Sequence, residues 1–183
     1  MIYRNATVDD ISAIVKLQKK YHITTISEKD KPDGFVTTLF TEEQFKELIE
    51  KENGITIACH GKKIVAYVMA ASWKYWAKWP LFQYMIDDLK DTEYKGITLS
   101  TENTYQYGPI CIDMDYRGTE VLRKVFDFSR MQMSKKYPLL ITFINHINHR
   151  SYAAHTKKLG LDVIKSFDFN NNTYYELGCY TSE

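Results

Sequence analysis

Two stretches of the chain combine residue types and spacings that can do chemistry. The first runs from Tyr107 to Val125 and reads YGPICIDMDYRGTEVLRKV. It begins with a short apolar run, Pro109 to Ile112, which is too short for a helix and is typical of a buried strand. A polar segment with Gly118 follows, and apolar residues then return at helical spacing. The pattern predicts a strand, a tight turn and a helix.

The amino end of the predicted helix is suited to a phosphate or pyrophosphate group. The first amide N–H groups of a helix lack partners and carry partial positive charge. Arg117, Arg123 and Lys124 add formal positive charge at this end, and such side chains form charge-assisted hydrogen bonds with phosphate oxygens. An ordinary strand-to-helix connection would show the same pattern, so these residues alone leave both interpretations open.

The second stretch, NHINHRSYAAHTKKLG at residues 145–160, follows another apolar run. Asn148 offers two amide donors and a carbonyl acceptor. His155 falls on a predicted helix, and an imidazole can donate a proton near neutral pH. Tyr152 and Leu159 share its helical face, so the alternative is that His155 packs on the sheet.

The first stretch resembles a motif of the GNAT superfamily of acyl-CoA-dependent N-acetyltransferases. DYRGTEVLRK is similar to the family's pyrophosphate loop, whose pattern is Arg or Gln, two residues, Gly, one residue, and Gly or Ala. Arg117 fills the first position. Glu120 and Leu122 stand where the family usually has small residues. A carboxylate at position 120 would repel a pyrophosphate unless its side chain turns to solvent.

The second stretch resembles another GNAT motif. The family places an Asn after its fifth strand, a small residue three positions on, an aromatic hydroxyl four later, and then a Leu-Gly-Phe-like helix end. Asn148, Ser151, His155 and the segment Leu159–Leu161 match in order. His155 takes the place usual for Tyr, and one extra residue precedes Leu159.

The resemblance implies an α/β (α+β) fold, with a mixed, mainly antiparallel sheet of six to seven strands flanked by helices. It also implies acetyl-CoA as the acyl donor, with its pantetheine arm between the splayed fourth and fifth strands and paired with free backbone groups there. The residues expected to bind it are Ile110, Cys111, Ile112, Arg117, Gly118, Thr119, Glu120, Val121, Leu122, Arg123, Asn148 and Ser151.

The implied reaction transfers an acetyl group to an amine of a small molecule or a protein by direct attack in a ternary complex. The amine must lose a proton, and the leaving thiolate gains from a proton donor. His155 is the candidate donor. Asp113 could act through water as the base, or it could cap the turn before the helix. His146 follows a predicted strand and could face the acceptor.

Two other chemistries are disfavoured. A metal site built from His146, His149 and His155 lacks Cys or acidic partners at ligand spacing, so no metal is expected. Cys111 has no obvious base beside it, which favours a buried thiol over a nucleophile.

Composition predicts one soluble domain over residues 1–183, with 44% apolar and 26% charged residues. A net charge of +1 gives no electrostatic case for a nucleic-acid or membrane partner. Three cysteines without regular spacing, and no apolar leader, favour a reducing cytoplasm. An edge hairpin at the end of the chain could pair two subunits into a homodimer.

The remaining elements follow from periodicity, caps and turn residues. We predict a strand at Ile2–Ala6, a helix from Val8 to about Tyr21, a loop over His22–Leu39, a helix capped by Thr41 and Gln44, a hairpin of Ile55–Cys59 and Lys63–Ala71, a strand at Leu139–Ile144, and a hairpin of Asp162–Asn170 and Thr173–Tyr180.

Residues 72–106 form an aromatic-rich insertion relative to a minimal GNAT domain. Leu81, Met85 and Leu89 indicate a helix within it, and Ile97–Ser100 a short strand. Its aromatic residues either pack on the sheet or line the acceptor pocket. Two other functions stay open: a GNAT-fold binding domain with weak or no coenzyme A affinity, and an interaction protein that uses the insertion as its interface.

Overall fold

The computed structural model describes residues 1–182, apart from the side chain of residue 33. Nine strands are present in this part of the chain: β1 Ile2–Asn5, β2 Ile55–His60, β3 Lys63–Ala71, β4 Glu93–Tyr94, β5 Ile97–Thr98, β6 Thr104–Ile112, β7 Leu139–Asn145, β8 Asp162–Phe169 and β9 Asn172–Tyr180. The α-helices are α1 Ile11–Lys20, α2 Glu42–Glu47, α3 Trp73–Trp76, α4 Pro80–Leu89, α5 Val121–Met133 and α6 His149–Ala153.

Short helical turns extend or connect these elements. Three are 3₁₀ turns, at Val8–Asp10, Glu28–Asp33 and Met114–Tyr116. Two are π-helical turns that continue α2 and α6, at Leu48–Glu52 and Ala154–Lys158. The turn at Glu28–Asp33 lies in a segment predicted to be a loop, where Ser27 O accepts a hydrogen bond from Asp30 N at 3.0 Å.

Seven strands form one sheet in the order β1-β2-β3-β6-β7-β9-β8. The pairs β1–β2, β2–β3, β7–β9 and β8–β9 are antiparallel, and β6–β7 is parallel. The prediction of a mixed, mainly antiparallel sheet of six to seven strands is therefore confirmed. β4 and β5 form a separate two-stranded sheet.

The chain contains two compact units. The first comprises Met1–Ala70 and Gly108–Ser129, and the second comprises Ala71–Tyr107 and the residues from Arg130 onward. The single domain over residues 1–183 stays a prediction.

In the first unit, α1 buries Ile11, Ile14 and Leu17. Gln18 is also buried, because its side-chain amide donates to Phe40 O at 3.0 Å and accepts from Phe40 N at 2.9 Å. The capping box that predicted the start of α2 is present: Thr41 and Gln44 each bond the other's backbone N–H.

In the second unit, the predicted insertion supplies two helices, α3 and α4, and the short β4–β5 hairpin, and residues of all three pack against strands of the sheet. α4 buries Met85 and Leu89, which pack with strand residues such as Ile141 and Phe167. β6 begins at Thr104, inside the segment of about 72–106 that was predicted as the insertion. Residues 104–106 pair with β7, and this pairing places them in the sheet.

Candidate active site

The end of β6 and the turn after it belong to the first unit. Cys111 is buried, while Ile110 and Ile112 on either side of it are half-buried. The predicted buried strand is therefore an alternating one at this end. Burial raises the pKa of the Cys111 thiol to about 12, so it stays protonated and is a poor nucleophile.

Asp113 begins the turn as a helix cap. Its side chain is almost completely buried, and its Oδ1 accepts a hydrogen bond from Asp115 N at 3.3 Å. Its Oδ2 lies 3.3 Å from Lys20 Nζ and 3.0 Å from Lys63 Nζ. Burial alone would raise the pKa of Asp113, but the bonds from Lys63, Asp115 N and Lys20 outweigh it and lower the pKa. This geometry favours the cap over the general base, because a lowered pKa makes a weaker base.

Arg117 is held by contacts inside its own unit. Its Nε donates to Ile112 O at 3.0 Å, and its guanidinium lies 4.8 Å from the centre of the Tyr21 ring. Tyr21 in turn accepts a hydrogen bond from Met114 N at 2.8 Å. Three contacts therefore connect Tyr21 at the end of α1, the end of β6 and the turn, and two of them hold the Arg117 side chain directly.

The segment between Arg117 and α5 is open to solvent. Gly118 has a left-handed φ of 78°, with no atom within 4 Å of where a Cβ would stand. Thr119 and Glu120 are exposed, as are Arg123 and Lys124 in the first turn of α5, whereas Val121 is buried and Leu122 half-buried. The charge of Glu120 contributes to a raised pKa of Tyr3 on β1, behind the larger effect of burial. Its carboxylate is therefore close enough to β1 to act on Tyr3.

The start of α6, in the second unit, is capped by Asn148. Its Oδ1 accepts a hydrogen bond from Ser151 N at 3.1 Å. The carbonyl oxygen of this side chain is therefore used for capping, and its Nδ2 group is the end with donors to offer a ligand.

His155 is buried, with 4% of its surface exposed. Its Nδ1 lies 2.8 Å from Ser151 O, and a carbonyl oxygen can only accept, so Nδ1 carries the proton. In the neutral ring Nε2 then has a lone pair and no proton. Burial lowers the pKa of His155 below its usual value, against a smaller opposing effect of the bond to Ser151. This geometry favours packing on the sheet over proton donation.

His146 lies at the end of β7. Its ring stacks on Tyr175 at 3.8 Å, and its Nε2 lies 3.2 Å from Ser166 Oγ. Tyr152 of α6 contacts the same Tyr175 ring at 4.4 Å. The structure thus places His146 in an aromatic cluster with α6.

Glu176 on β9 was missed by sequence reasoning. It is 3% exposed, and burial raises the pKa of its carboxyl to about 7. A charged residue inside the alternating run Thr173–Tyr180 is a signal that could have drawn attention to it. Its surroundings depend on α4 and β8, which the local pattern does not reveal.

Within residues 1–182, no group of three or more His, Cys, Asp or Glu side chains is arranged to hold a metal ion. The three cysteines are buried and form no disulfide. None of the helices in this range combines the length and the apolar character that crossing a membrane requires.

Comparison with known proteins gives a result at the level of structure. No protein-family model and no curated protein matches this sequence. Ribosomal-protein-alanine N-acetyltransferase from Brucella melitensis matches with a TM-score of 0.64 and 15% identity, over 98% of this chain and 99% of that one. A GNAT-family acetyltransferase from Streptococcus pneumoniae matches with a TM-score of 0.62 and 15% identity, over 98% of each chain.

A third similar structure is a putative acetyltransferase from Salmonella typhimurium, solved with its cofactor acetyl-CoA. It has a TM-score of 0.64 and 12% identity, over 100% of this chain and 94% of that one. These similarities define the fold of a class of acetyltransferases. The chain has the GNAT fold, as its sequence motifs predicted.

Proposed function

We propose that this protein transfers an acetyl group from acetyl-CoA to an amine of a small molecule or a protein, by direct attack in a ternary complex. The observation that carries the proposal is the GNAT fold, shared over the whole chain with a Salmonella protein that holds acetyl-CoA as its cofactor. At this level of identity the similarity speaks for the fold, and the function rests on the residues that follow.

The loop before α5 supports a pyrophosphate site. At the start of α5, Val121 N donates to Thr119 Oγ1 at 3.3 Å and Lys124 N donates to Glu120 O at 2.9 Å. The amides of Leu122 and Arg123 between them have no intrahelical acceptor, and the helix end carries partial positive charge. Glu120, the departure from the family pattern that could repel phosphates, is exposed, and its charge makes a smaller contribution than burial to the raised pKa of Tyr3. Arg117 is held in a fixed direction by Ile112 and Tyr21, so it supplies charge at little cost in side-chain entropy.

The acyl donor would also contact backbone groups of residues 110–112 and, separately, the side chains of Asn148 and Ser151. Asn148 has its Nδ2 group available for a carbonyl of the pantetheine arm. Catalysis in this proposal comes from binding and orientation of the two reactants. His155, Asp113 and His146 remain candidates for proton transfer, and the first two have geometries that favour other roles.

Calorimetry with acetyl-CoA tests the proposal. We expect the wild-type protein to bind, and Arg117→Ala to weaken binding roughly 10- to 100-fold, as for a lost charge-assisted hydrogen bond. Arg117→Lys is the matched control, because it keeps the charge but loses the bond to Ile112. Glu120→Gln should change affinity little. A folded wild-type protein that does not bind acetyl-CoA would leave the non-catalytic binding domain as the better conclusion.

A further inference from the structure

Glu176 is a buried carboxylate that lacks a hydrogen-bond donor. It is 3% exposed, and none of the residues within 1–182 donates a hydrogen bond to its side chain. Its ion pair with Lys165 has an Nζ–Oε2 distance of 3.9 Å, which is too long for a hydrogen bond. Buried carboxylates are normally paired and hydrogen-bonded. The Glu176 oxygens are not among the fully enclosed side-chain atoms without a partner, so they keep contact with solvent, from which a ligand could approach.

Lys165 is not a dedicated partner for Glu176. Its Nζ donates to the Asp88 carboxylate and to the Thr92 hydroxyl. One ammonium thus faces two carboxylates, which leaves a net charge of −1 when both are ionised. Burial raises the pKa of Glu176 to about 7; Lys165 lowers it and Asp88 raises it by smaller amounts. With both carboxylates ionised, the cluster of Asp88, Lys165 and Glu176 is one positive charge short of neutrality.

Aromatic rings lie on the same face of the sheet as Glu176. Phe143 is its direct partner across the β7–β9 pair, and Tyr174 precedes it by two residues on β9. Directly opposed and alternate residues point to one face. The Phe143 ring lies 5.6 Å from that of Tyr174 and 5.4 Å from that of Phe82, in edge-on contacts.

These three rings are half-buried, in contrast to the fully buried Trp73 and Trp76 of α3. Packing against the apolar core explains the rings. It does not explain a carboxylate without donors on the same face of the sheet. Aromatic faces and a carboxylate together attract an organic ammonium group, because the rings and the anion both stabilise positive charge while the body of the ligand stays apolar.

We propose that Glu176, with Phe143 and Tyr174 beside it, binds the ammonium group of an acceptor amine that has an apolar or aromatic body. All of these residues belong to the second compact unit. The inference rests on the proposed function and deepens it by naming the class of acceptor. The ammonium supplies the positive charge that the group of Asp88, Lys165 and Glu176 lacks.

Paired probes that differ only in charge test this inference. Phenethylamine and hexylamine carry an ammonium group, while 2-phenylethanol and 1-hexanol are neutral with the same bodies. We expect each amine to bind wild-type protein at least about tenfold tighter than its alcohol in NMR titrations. Glu176→Gln should remove this preference and leave alcohol binding unchanged. Glu93→Gln, the same change at an exposed position of β4, should keep it.

The pH dependence provides a second readout. The charged groups that face Glu176 are Lys165 from β8 and Asp88 from α4, and the Tyr174 hydroxyl has a pKa raised by burial. Glu176, with a pKa raised to about 7, changes charge near neutrality. Amine affinity should therefore rise between about pH 6 and about pH 8 in the wild type and stay flat in Glu176→Gln.

Three results would each overturn the inference. The wild type could bind amines and alcohols equally, it could fail to bind amines, or the preference for amines could survive in Glu176→Gln. Acetyl-CoA titrations on the same samples separate it from the proposed function. Acetyl-CoA binding without an amine preference removes only the ammonium site. An amine preference without acetyl-CoA binding removes the transferase and leaves a site for amines.

Discussion

Two buried carboxylates, Asp113 at the end of β6 and Glu176 on β9, have opposite surroundings. Asp113 is 1% exposed and Glu176 is 3% exposed. Asp113 receives bonds from two lysines and a backbone amide, and its pKa is lowered. Glu176 has one distant lysine that already binds another carboxylate, and its pKa is raised to about 7.

The difference shows that burial alone does not decide what a carboxylate does. Desolvation raises the pKa of both groups, and hydrogen bonds to the charged form decide which way the balance falls. At Asp113 these bonds prevail, so the group is ionised and serves the local structure. At Glu176 desolvation prevails, so the group can still gain stabilisation from a ligand. A site is indicated more by unmet hydrogen bonding than by burial.

The largest effect that would sharpen this comparison is in the pH dependence of stability. The folded-state pKa of Glu176 is about 7, above its ordinary value of 4.5, so the native state binds more protons than the unfolded state between these values. The free energy of unfolding therefore falls as the pH rises through this window. At about 1.4 kcal/mol per pH unit, the fall is on the order of 3 kcal/mol.

Urea denaturation at several pH values between about 5 and 8 measures this change. Glu176→Gln should become more stable relative to the wild type as the pH rises, since it has no carboxylate to ionise. Glu93→Gln should follow the wild type throughout. If the free energy of unfolding changes with pH in the same way for the wild type and Glu176→Gln, the carboxylate is ionised in the native state at all these pH values. The contrast with Asp113 would then disappear.

The second largest expected effect is on the free energy of unfolding when Asp113 is replaced. Asp113→Ala removes the cap of the turn and should lower the free energy of unfolding by about 1–2 kcal/mol at neutral pH. Because the folded-state pKa is lowered, the stabilisation is present above the ordinary value of 3.8 and is lost as the pH falls through the folded pKa. Asp115→Ala, an exposed carboxylate two residues on, is the control for the loss of charge.

The comparison also separates what the sequence can predict from what it cannot. The β8–β9 hairpin was predicted from its asparagines, and Asn170 and Asn171 do adopt positive φ values of 46° and 60°. Such local chemistry is readable because it depends on adjacent residues. The early start of β6 at Thr104 depends on pairing with β7, some 35 residues away, and periodicity does not report such pairing.

The candidate site divides in the same way. The cap at Asp113 was an alternative from the start, since capping depends on the next residues. The exposure of Glu120 and the donor position on His155 required the folded chain. Glu176 was missed because it lacks a hydrogen-bond donor only in the folded chain, where Lys165 of β8 donates its hydrogen bond to Asp88 of α4 instead. Such three-element arrangements lie outside any local pattern.

A smaller effect concerns the two lysines beside Asp113. Both side chains are more than half exposed, at 55% for Lys20 and 53% for Lys63. Exposed ion pairs contribute little, and either lysine can replace the other at the same Oδ2 atom. We expect Lys20→Ala and Lys63→Ala to unfold like the wild type in a thermal melt. The double variant should melt earlier, because the buried carboxylate then keeps only Asp115 N; equal melting of all three variants would show that the lysines do not hold Asp113.

The smallest expected effect is on turnover at His155, a third buried titratable group. With Nδ1 bonded to Ser151 O and a pKa lowered by burial, Nε2 has no proton to give at neutral pH. His155→Phe should therefore keep turnover within about threefold of the wild type, whereas a lost general acid would cost roughly 10²–10⁴-fold. Release of free coenzyme A from acetyl-CoA measures the rate, either with an amine that binds in the NMR titrations or by slow hydrolysis. His155→Ala should lower the melting temperature and His155→Phe much less, because the packing with Tyr107 is lost only in the smaller variant. A large rate loss in a stable His155→Phe variant, restored in part by His155→Tyr, would reinstate the proton donor that the family resemblance implies.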